Sequence, residues 1–349
     1  MNAQNSLLVR VAVVGYGVIG KRVADAVARQ TDMRLVGVAD VQSDWRVKAA
    51  GQRGHALYAG NPDALEQMRE RGLEVQGTLD TLLRQADVVV DCTPKKVAAG
   101  NVEMYRQAGL RYVLQGGEKH EAAGHSFVAE ANYVSALGRR ATRVVSCNTT
   151  SIVRTLGALR DAGLLHSARG TLLRRATDPV DSHVGGMINT MVPETKVPSH
   201  QGPDARTVLP DLDLVTMAVA VPENLAHVHS WSVRLTRSTS REQVLEAFAR
   251  SSRIALLRAD DGLGAINVVK EWMADLGRSR ADLYEVGLWE DLVTVQGDEV
   301  FFNYMVDNQA IVIPETIDAI RALSGHQPDA GSSIAATDES LGIPLLRRA

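Results

Sequence analysis

Two short segments of this chain hold residue types that do chemistry. The first is Ser146-Cys147-Asn148-Thr149-Thr150, which sets one of only two cysteines between a strand pattern and a helical stripe of Ile152, Leu156 and Leu159. A thiol at such a junction lies near free backbone N–H groups and the positive end of a helix dipole, and both favour thiolate. Thiolate is the nucleophilic form, so covalent chemistry is expected at Cys147. The bland alternative is a small buried hydrophobe. Ser146 and Asn148 flank the thiol and can donate to a developing oxyanion, although Asn148 also suits a helix cap. The second segment is Gly15-Tyr16-Gly17-Val18-Ile19-Gly20, which follows the β-branched run Val9–Val14 and opens a helical pattern of Ile19, Val23 and Val27. That context separates a dinucleotide fingerprint from an ordinary glycine-rich turn. The glycines permit the tight turn, the approach of a pyrophosphate and close helix–strand packing, with the anion on the helix N-terminus.

A second strand pattern, Met33 to Asp40, ends in an acid twenty residues after Gly20. A carboxylate there accepts hydrogen bonds from ribose hydroxyls and repels a 2′-phosphate, which favours NAD over NADP. Arg46 and Lys48 follow and would soften that preference, and a turn cap is the plainer role for Asp40.

These residues need elements to hold them. From Leu8 to about Ser146, strand candidates at 9–14, 34–38, 74–76, 88–91, 112–115 and 143–146 alternate with helical stretches. Such alternation argues for an α/β fold with a doubly wound parallel sheet, whose ligands bind beyond the carboxyl ends of the strands. The glycine loop, Asp91-Cys92-Thr93-Pro94 and Gln115-Gly116-Gly117-Glu118 all sit at such ends. Cys92 is expected to line or pack in the nucleotide crevice rather than react. After Cys147, longer alternating strands at 170–176, 214–221 and 229–235 suggest a mostly antiparallel sheet serving as a platform. Between them, 178–210 is long and irregular, as functional stretches often are. A last helix begins at Pro314, and the tail from Gly325 reads as surface chain or partly disordered.

Composition excludes several classes. The net charge of −3, with no long block of one sign, argues against nucleic acid or a polybasic membrane contact. No apolar run is long enough to span a bilayer, and Met1–Ser6 reads as a polar tail rather than a signal peptide. The two cysteines, Cys92 and Cys147, cannot form a disulfide framework and suit a reducing cytoplasm. No cluster with metal-ligand spacing is present, so no metal is expected.

Histidine is a natural acid–base group because its pKa lies near working pH, and His227 and His229 share one face of a strand, so either could reach a site. Arg174 and Arg175 offer planar donor forks for anions, but adjacent strand residues face opposite ways.

From Val11 to about Leu323 the chain resembles the archaeal-type (class II) glyceraldehyde-3-phosphate dehydrogenases. The resemblance rests on residues 15–27, Gln115-Gly116-Gly117-Glu118-Lys119-His120, Ser146-Cys147-Asn148-Thr149-Thr150, Arg174-Arg175-Ala176, Val197-Pro198-Ser199-His200, His227-Val228-His229, residues 278–285 and residues 314–321. It implies a Rossmann-type NAD(P)-binding domain from 1–146 and 310–349, and an α+β catalytic domain at 147–309. It also implies a homotetramer that oxidises glyceraldehyde 3-phosphate to 1,3-bisphosphoglycerate with NAD or NADP and inorganic phosphate. Within it, Cys147 matches the nucleophile and His227 the base. Ser146, Asn148, Arg174, His200, Gln201 and Gly202 match substrate and phosphate contacts. Gly15, Gly17, Val18, Ile19, Gly20, Asp40, Gly117, Arg175 and Gln309 match cofactor contacts. The chain departs from the pattern at Gln201, where the family usually has a second histidine, and at Asp40, where many members carry a basic or neutral residue. A relative acting on another phosphorylated aldehyde or a semialdehyde, and a catalytically silent NAD-binding assembly protein, are the competing readings.

Overall fold

The run of β-branched residues in Val9–Val14 is buried along nearly its whole length, as a strand covered on both faces must be. It is an interior strand of a sheet. The computed structural model describes residues 8–115 and 117–347, so the polar N-terminal tail and Gly116 lie outside the described residues. The chain divides into two units, Met1–Ser146 with Ile313–Leu341, and Cys147–Val312 with Gly342–Ala349.

In the first unit, strands β1 (Val9–Val14), β2 (Met33–Asp40), β3 (Leu57–Ala59), β4 (Val88–Asp91), β5 (Arg111–Leu114), β6 (Ser126–Phe127) and β7 (Ala141–Val144) pair in the order β3-β2-β1-β4-β5-β7-β6. Every pairing is parallel. The chain leaves β1 for β2 and β3 on one side, then returns to β4 on the other. That reversal makes a crevice at the carboxyl ends of β1 and β4, where a ligand binds in such sheets.

Two sequence expectations change here. Residues 74–76 are not a strand; the edge strand is Leu57–Ala59, and the later segment runs beside it, with the Gln76 N–H donating to Leu57 O at 2.8 Å. The tail after Gly325 is not loose surface chain. It forms the helix Ala330–Leu341, which buries Ser333, Thr337 and Asp338. Ser333 and Thr337 donate to Asp318 on the preceding helix, at 2.7 and 2.6 Å. Arg321 binds Thr337, Gln30 and Asp32. The helix is held by polar pairing rather than an apolar stripe, so its periodicity does not reveal it.

The second unit carries β8 (Leu165–Arg175), β9 (Val192–Pro193), β10 (Leu214–Val221), β11 (His227–Leu235), β12 (Ile254–Leu257), β13 (Val286–Trp289), β14 (Thr294–Gln296) and β15 (Glu299–Val306). Their order is β12-β13-β15-β11-β8-β10-β9, with β14 on β15. The sheet is mixed: β8 with β10 and β12 with β13 are parallel, and the other pairs are antiparallel. The 15-residue helix Cys147–Asp161 is buried over most of its length. Thr149 Oγ1 donates to Asp204 Oδ2 at 2.7 Å, tying it to the short helix Gln201–Ala205. Arg154 donates to the carbonyls of Tyr284 and Ile311. The segment 278–285 is structural: Arg278 and Glu285 form a buried bidentate pair at 2.6 Å.

Candidate active site

Register decides what one face of the mixed sheet can present. In β8, Gly170, Leu172 and Arg174 alternate to one side; in β11, Trp231 and His229 sit opposite Gly170 and Leu172. Gly170 is needed there, because a Cβ would come within 2.6 Å of the Trp231 ring. Tyr304 on β15 sits opposite His229. His227 therefore lies on the same face, about 7 Å along the strand from His229.

Cys147 is the first residue of its helix, as its sequence context implies, and is partly exposed. The expected thiolate is not what the surroundings favour. Burial pushes the Cys147 thiol up to about 11, against the pull of Arg175, the Asn148 amide and Arg174. The helix start and the arginines act in the anticipated direction, but desolvation outweighs them. Cys92 is a packing residue: burial and Asp91 push its thiol far up.

The two histidines have different surroundings. Burial, His229 and the arginines hold His227 well below its usual range, so it is neutral. The Arg175 N–H donates to His227 Nδ1 at 2.9 Å, which leaves the ring proton on Nε2. In this state His227 is a donor, not an acceptor. His229 is fully buried, and burial with Arg174 lowers it to about 3. Its Nε2 lies 2.8 Å from Asn148 Oδ1 and its Nδ1 2.8 Å from the Tyr304 hydroxyl. Both nitrogens are engaged, so His229 has no free lone pair with which to act as a base.

The arginines are already paired. Arg174 binds Glu194, whose other oxygen lies 3.8 Å from His200 Nδ1. Arg175 binds Asp178 and donates to Asn224 O at 2.9 Å. Asp178 also accepts from Gln309 Nε2 at 2.9 Å, and the Gln309 N–H donates to Asp307, a buried acid paired with Lys270. The adjacent arginines thus take separate partners, as opposite-facing neighbours should, while both still act on Cys147 electrostatically. Gln201 is fully buried with neither amide atom hydrogen-bonded. The Gly202 N–H is spent on Thr216 Oγ1 at 3.1 Å, so Gly202 serves close packing. Ser146 is the last residue before the helix Cys147–Asp161 and half-buried. Glu194, Asp178 and Tyr304 went unnoticed in the sequence. Only Asp178, three residues after Arg175, has a spacing that hints at its partner.

In the first unit, the glycine loop fits a dinucleotide. Gly15 has φ +86°, and a Cβ there would lie 2.9 Å from the Cys92 and Thr93 backbone. A Cβ on Gly20 would meet Gly15 O at 1.8 Å, whereas nothing stands within 4 Å of one on Gly17. Gly17 begins the helix Val18–Ala28 without a side-chain cap, which leaves the first-turn amides of Val18 and Ile19 for a pyrophosphate. Asp40 accepts from the Tyr16 N–H at 2.6 Å and the Gln42 N–H at 2.8 Å, which fixes its carboxylate beside the loop. Arg46 is paired with Asp44. Gly117 adopts φ +72° just past β5, with open space where a Cβ would point.

Comparison with known proteins agrees with this division. Residues 146–271 match a family model described as glyceraldehyde 3-phosphate dehydrogenase, C-terminal domain. Residues 9–123 match one described as dihydrodipicolinate reductase, N-terminus. A glyceraldehyde-3-phosphate dehydrogenase of Pyrobaculum calidifontis is 48% identical over 339 residues, covering 96% of this chain and 98% of that protein. Its namesakes in Archaeoglobus fulgidus and Methanobrevibacter smithii are 44% and 42% identical, covering 96% and 95% of this chain and 98% and 99% of theirs. Identity of that degree extends over nearly the whole chain, so the chain belongs to the glyceraldehyde-3-phosphate dehydrogenase family, in its archaeal form.

Proposed function

We propose that this chain oxidises D-glyceraldehyde 3-phosphate to 1,3-bisphosphoglycerate, with inorganic phosphate as co-substrate. The bound NAD or NADP supplies the hydride acceptor. The observation that carries the reading is Cys147 at a helix start, in the field of Arg174 and Arg175, on a chain whose relatives bear that name. The Cys147 sulfur bonds to the aldehyde carbon and the carbonyl oxygen gains the thiol proton, giving a thiohemiacetal. Loss of hydride from carbon and of the hydroxyl proton leaves a thioester on Cys147. A phosphate oxygen then attacks the acyl carbon, the C–S bond breaks and the thiolate departs.

The two adjacent arginines take different roles. Arg174, whose partner Glu194 also lies 3.8 Å from His200 Nδ1, is assigned with His200 and Gln201 to phosphate, and anion binding competes with Glu194 for its guanidinium. Arg175 and Gln309, joined through Asp178, are assigned to the cofactor side. His227 is the acid–base residue. Its Nε2–H first stabilises charge on the substrate oxygen. To take the hydroxyl proton on Nε2, the ring must carry its own proton on Nδ1, so the Arg175 amide must first release that atom. The Asp40 carboxylate favours NAD.

The assembly is read from exposed apolar side chains in one stretch of the second unit. Val184, Ile188, Met191, Val192 and Val197 stand in solvent beside the edge strand β9, with Met217 on the neighbouring β10. An apolar sheet edge of this type suits a second copy of the chain, and we expect a homotetramer by light scattering. Among the described residues no helix is long and apolar enough to cross a membrane. With two free cysteines, a reducing cytoplasm is the expected location. The deciding assay is NAD reduction by glyceraldehyde 3-phosphate with and without phosphate. Steady turnover should require phosphate, and omission should leave a single cofactor reduced per site. Absence of any reduction, or full activity in Cys147→Ser, would overturn the reading.

A further inference from the structure

We propose that Tyr304 and His229 form a buried relay that fixes which end of the Asn148 amide faces the chemistry at Cys147, making both of them positioning residues for the oxidation. The inference rests on the reading of Cys147 given above. An asparagine amide has nearly the same shape after a half-turn, so packing alone cannot choose between its oxygen and its nitrogen; hydrogen-bond polarity must. Asn148 directly follows the thiol and is buried. Its Oδ1 lies 2.8 Å from His229 Nε2. A carbonyl oxygen only accepts, so Nε2 carries the proton. The ring is neutral, so Nδ1 is bare and takes the Tyr304 hydroxyl proton across 2.8 Å. Ser151 Oγ, which neighbours that hydroxyl along with Thr155 and Trp231, is farther away at 3.4 Å and spends its own proton on Asn148 O at 2.8 Å.

The polarity therefore runs in one direction, from Tyr304 through His229 to Asn148. It leaves the Asn148 Nδ2 hydrogens on the side away from His229, with no hydrogen bond among the described residues. Two amide hydrogens on the residue that follows a nucleophile are what a developing oxyanion needs. Reversing the relay would turn a carbonyl oxygen toward that negative charge. The sheet makes the relay rigid. His229 and Tyr304 are directly opposite in the ladder, their rings 4.9 Å apart, and Phe302 stacks on Tyr304 at 6.2 Å. A core histidine serving only packing would not need its two nitrogens aligned between a hydroxyl donor and a residue next to the thiol.

Two measurements test this, one of them independent of turnover. Long-range 15N–1H spectra of the intact histidine-labelled protein, with His229 assigned by its loss in His229→Gln, should show a protonated Nε2 and a bare Nδ1. A protonated Nδ1 overturns the proposal. In the phosphate-dependent assay, Tyr304→Phe should lower kcat by roughly tenfold and Asn148→Ala by roughly 100-fold, with KM for the aldehyde within about twofold. Introduced into Asn148→Ala, Tyr304→Phe should cost less than about twofold more, because the group it orients is gone. Losses that multiply across the pair overturn the relay and assign Tyr304 a structural role. A wild-type protein without dehydrogenase activity would defeat the functional reading while leaving the spectrum to decide the relay. The spectrum also decides it if Tyr304→Phe fails to fold.

Discussion

The glycine loop of the parallel sheet and the cysteine face of the mixed sheet are made of different materials. The loop is main chain: its fitness depends on where a Cβ is missing and where N–H groups are left unpaired. The cysteine face is side chains from separate segments, each already held by a partner, such as Arg174 by Glu194, Arg175 by Asp178 and Asn148 by His229. A main-chain site is damaged by adding atoms. A side-chain site is damaged by removing a partner or reversing its polarity. The two should therefore fail separately, and the variants below test whether they do.

The largest effect belongs to Cys147→Ser. Loss of the nucleophile should reduce kcat by more than about 10⁴-fold. Cofactor affinity, measured by fluorescence titration, should stay within about twofold, and a large loss of it would break the separation. Gly20→Ala comes next. Its Cβ would sit 1.8 Å from Gly15 O, a backbone atom that cannot swing aside. Strain of about 3 kcal/mol in the loop would weaken cofactor binding by roughly 100-fold and lower Tm. Gly17→Ala is its control, since no atom stands within 4 Å of that Cβ. It should weaken cofactor binding with Tm unchanged, because only the ligand's approach is blocked. A matching fall in Tm would show that Gly17 serves the fold instead.

Asp40→Asn sharpens the comparison inside the first unit. Asparagine keeps an acceptor for the Tyr16 N–H but loses the charge that opposes a 2′-phosphate. The ratio of kcat/KM for NADP over NAD should rise roughly tenfold, or about 1.4 kcal/mol. An unchanged ratio would assign Asp40 to holding the loop alone.

How much of each site was legible follows from the same contrast. Gly15, Gly17, Gly20 and Asp40 lie in one βαβ segment, so spacing along the chain is also spacing in space. Cys147 and the histidine pair were legible as types, but their division of labour was not. It depends on β11 lying between β8 and β15, which brings the Arg175 amide to His227 and Tyr304 to His229. Glu194 and Asp178 reach the arginines from the irregular segment between β8 and β10, where no periodicity operates. The fold shows the same limit. Long apolar strands were evident, while β3 has only three residues and the helix Ala330–Leu341 is secured by Ser333, Thr337 and Arg321.

The smallest effect concerns acid, and it divides between the units. His125 in the first unit is lowered to about 4 by burial and by Arg139. In the second, His229 is lowered to about 3, and burial holds His227 well below its usual range. Each is neutral when folded and titrates near 6.5 when unfolded, so below that pH the unfolded chain binds more protons. The stability these neutral rings contribute is complete above about pH 6.5 and is lost as pH falls towards the folded values. At pH 6 His125 and His229 should each cost about 0.8 kcal/mol relative to pH 8, with a slope approaching about 1.4 kcal/mol per pH unit below that. Urea unfolding across this range, compared with His125→Asn and His229→Gln, should remove one histidine's share of the slope in each variant. A slope untouched by His229→Gln would mean that the ring is already charged in the folded protein. Asn148 would then face a cation that donates from both nitrogens, and Tyr304 could no longer set the direction of the amide.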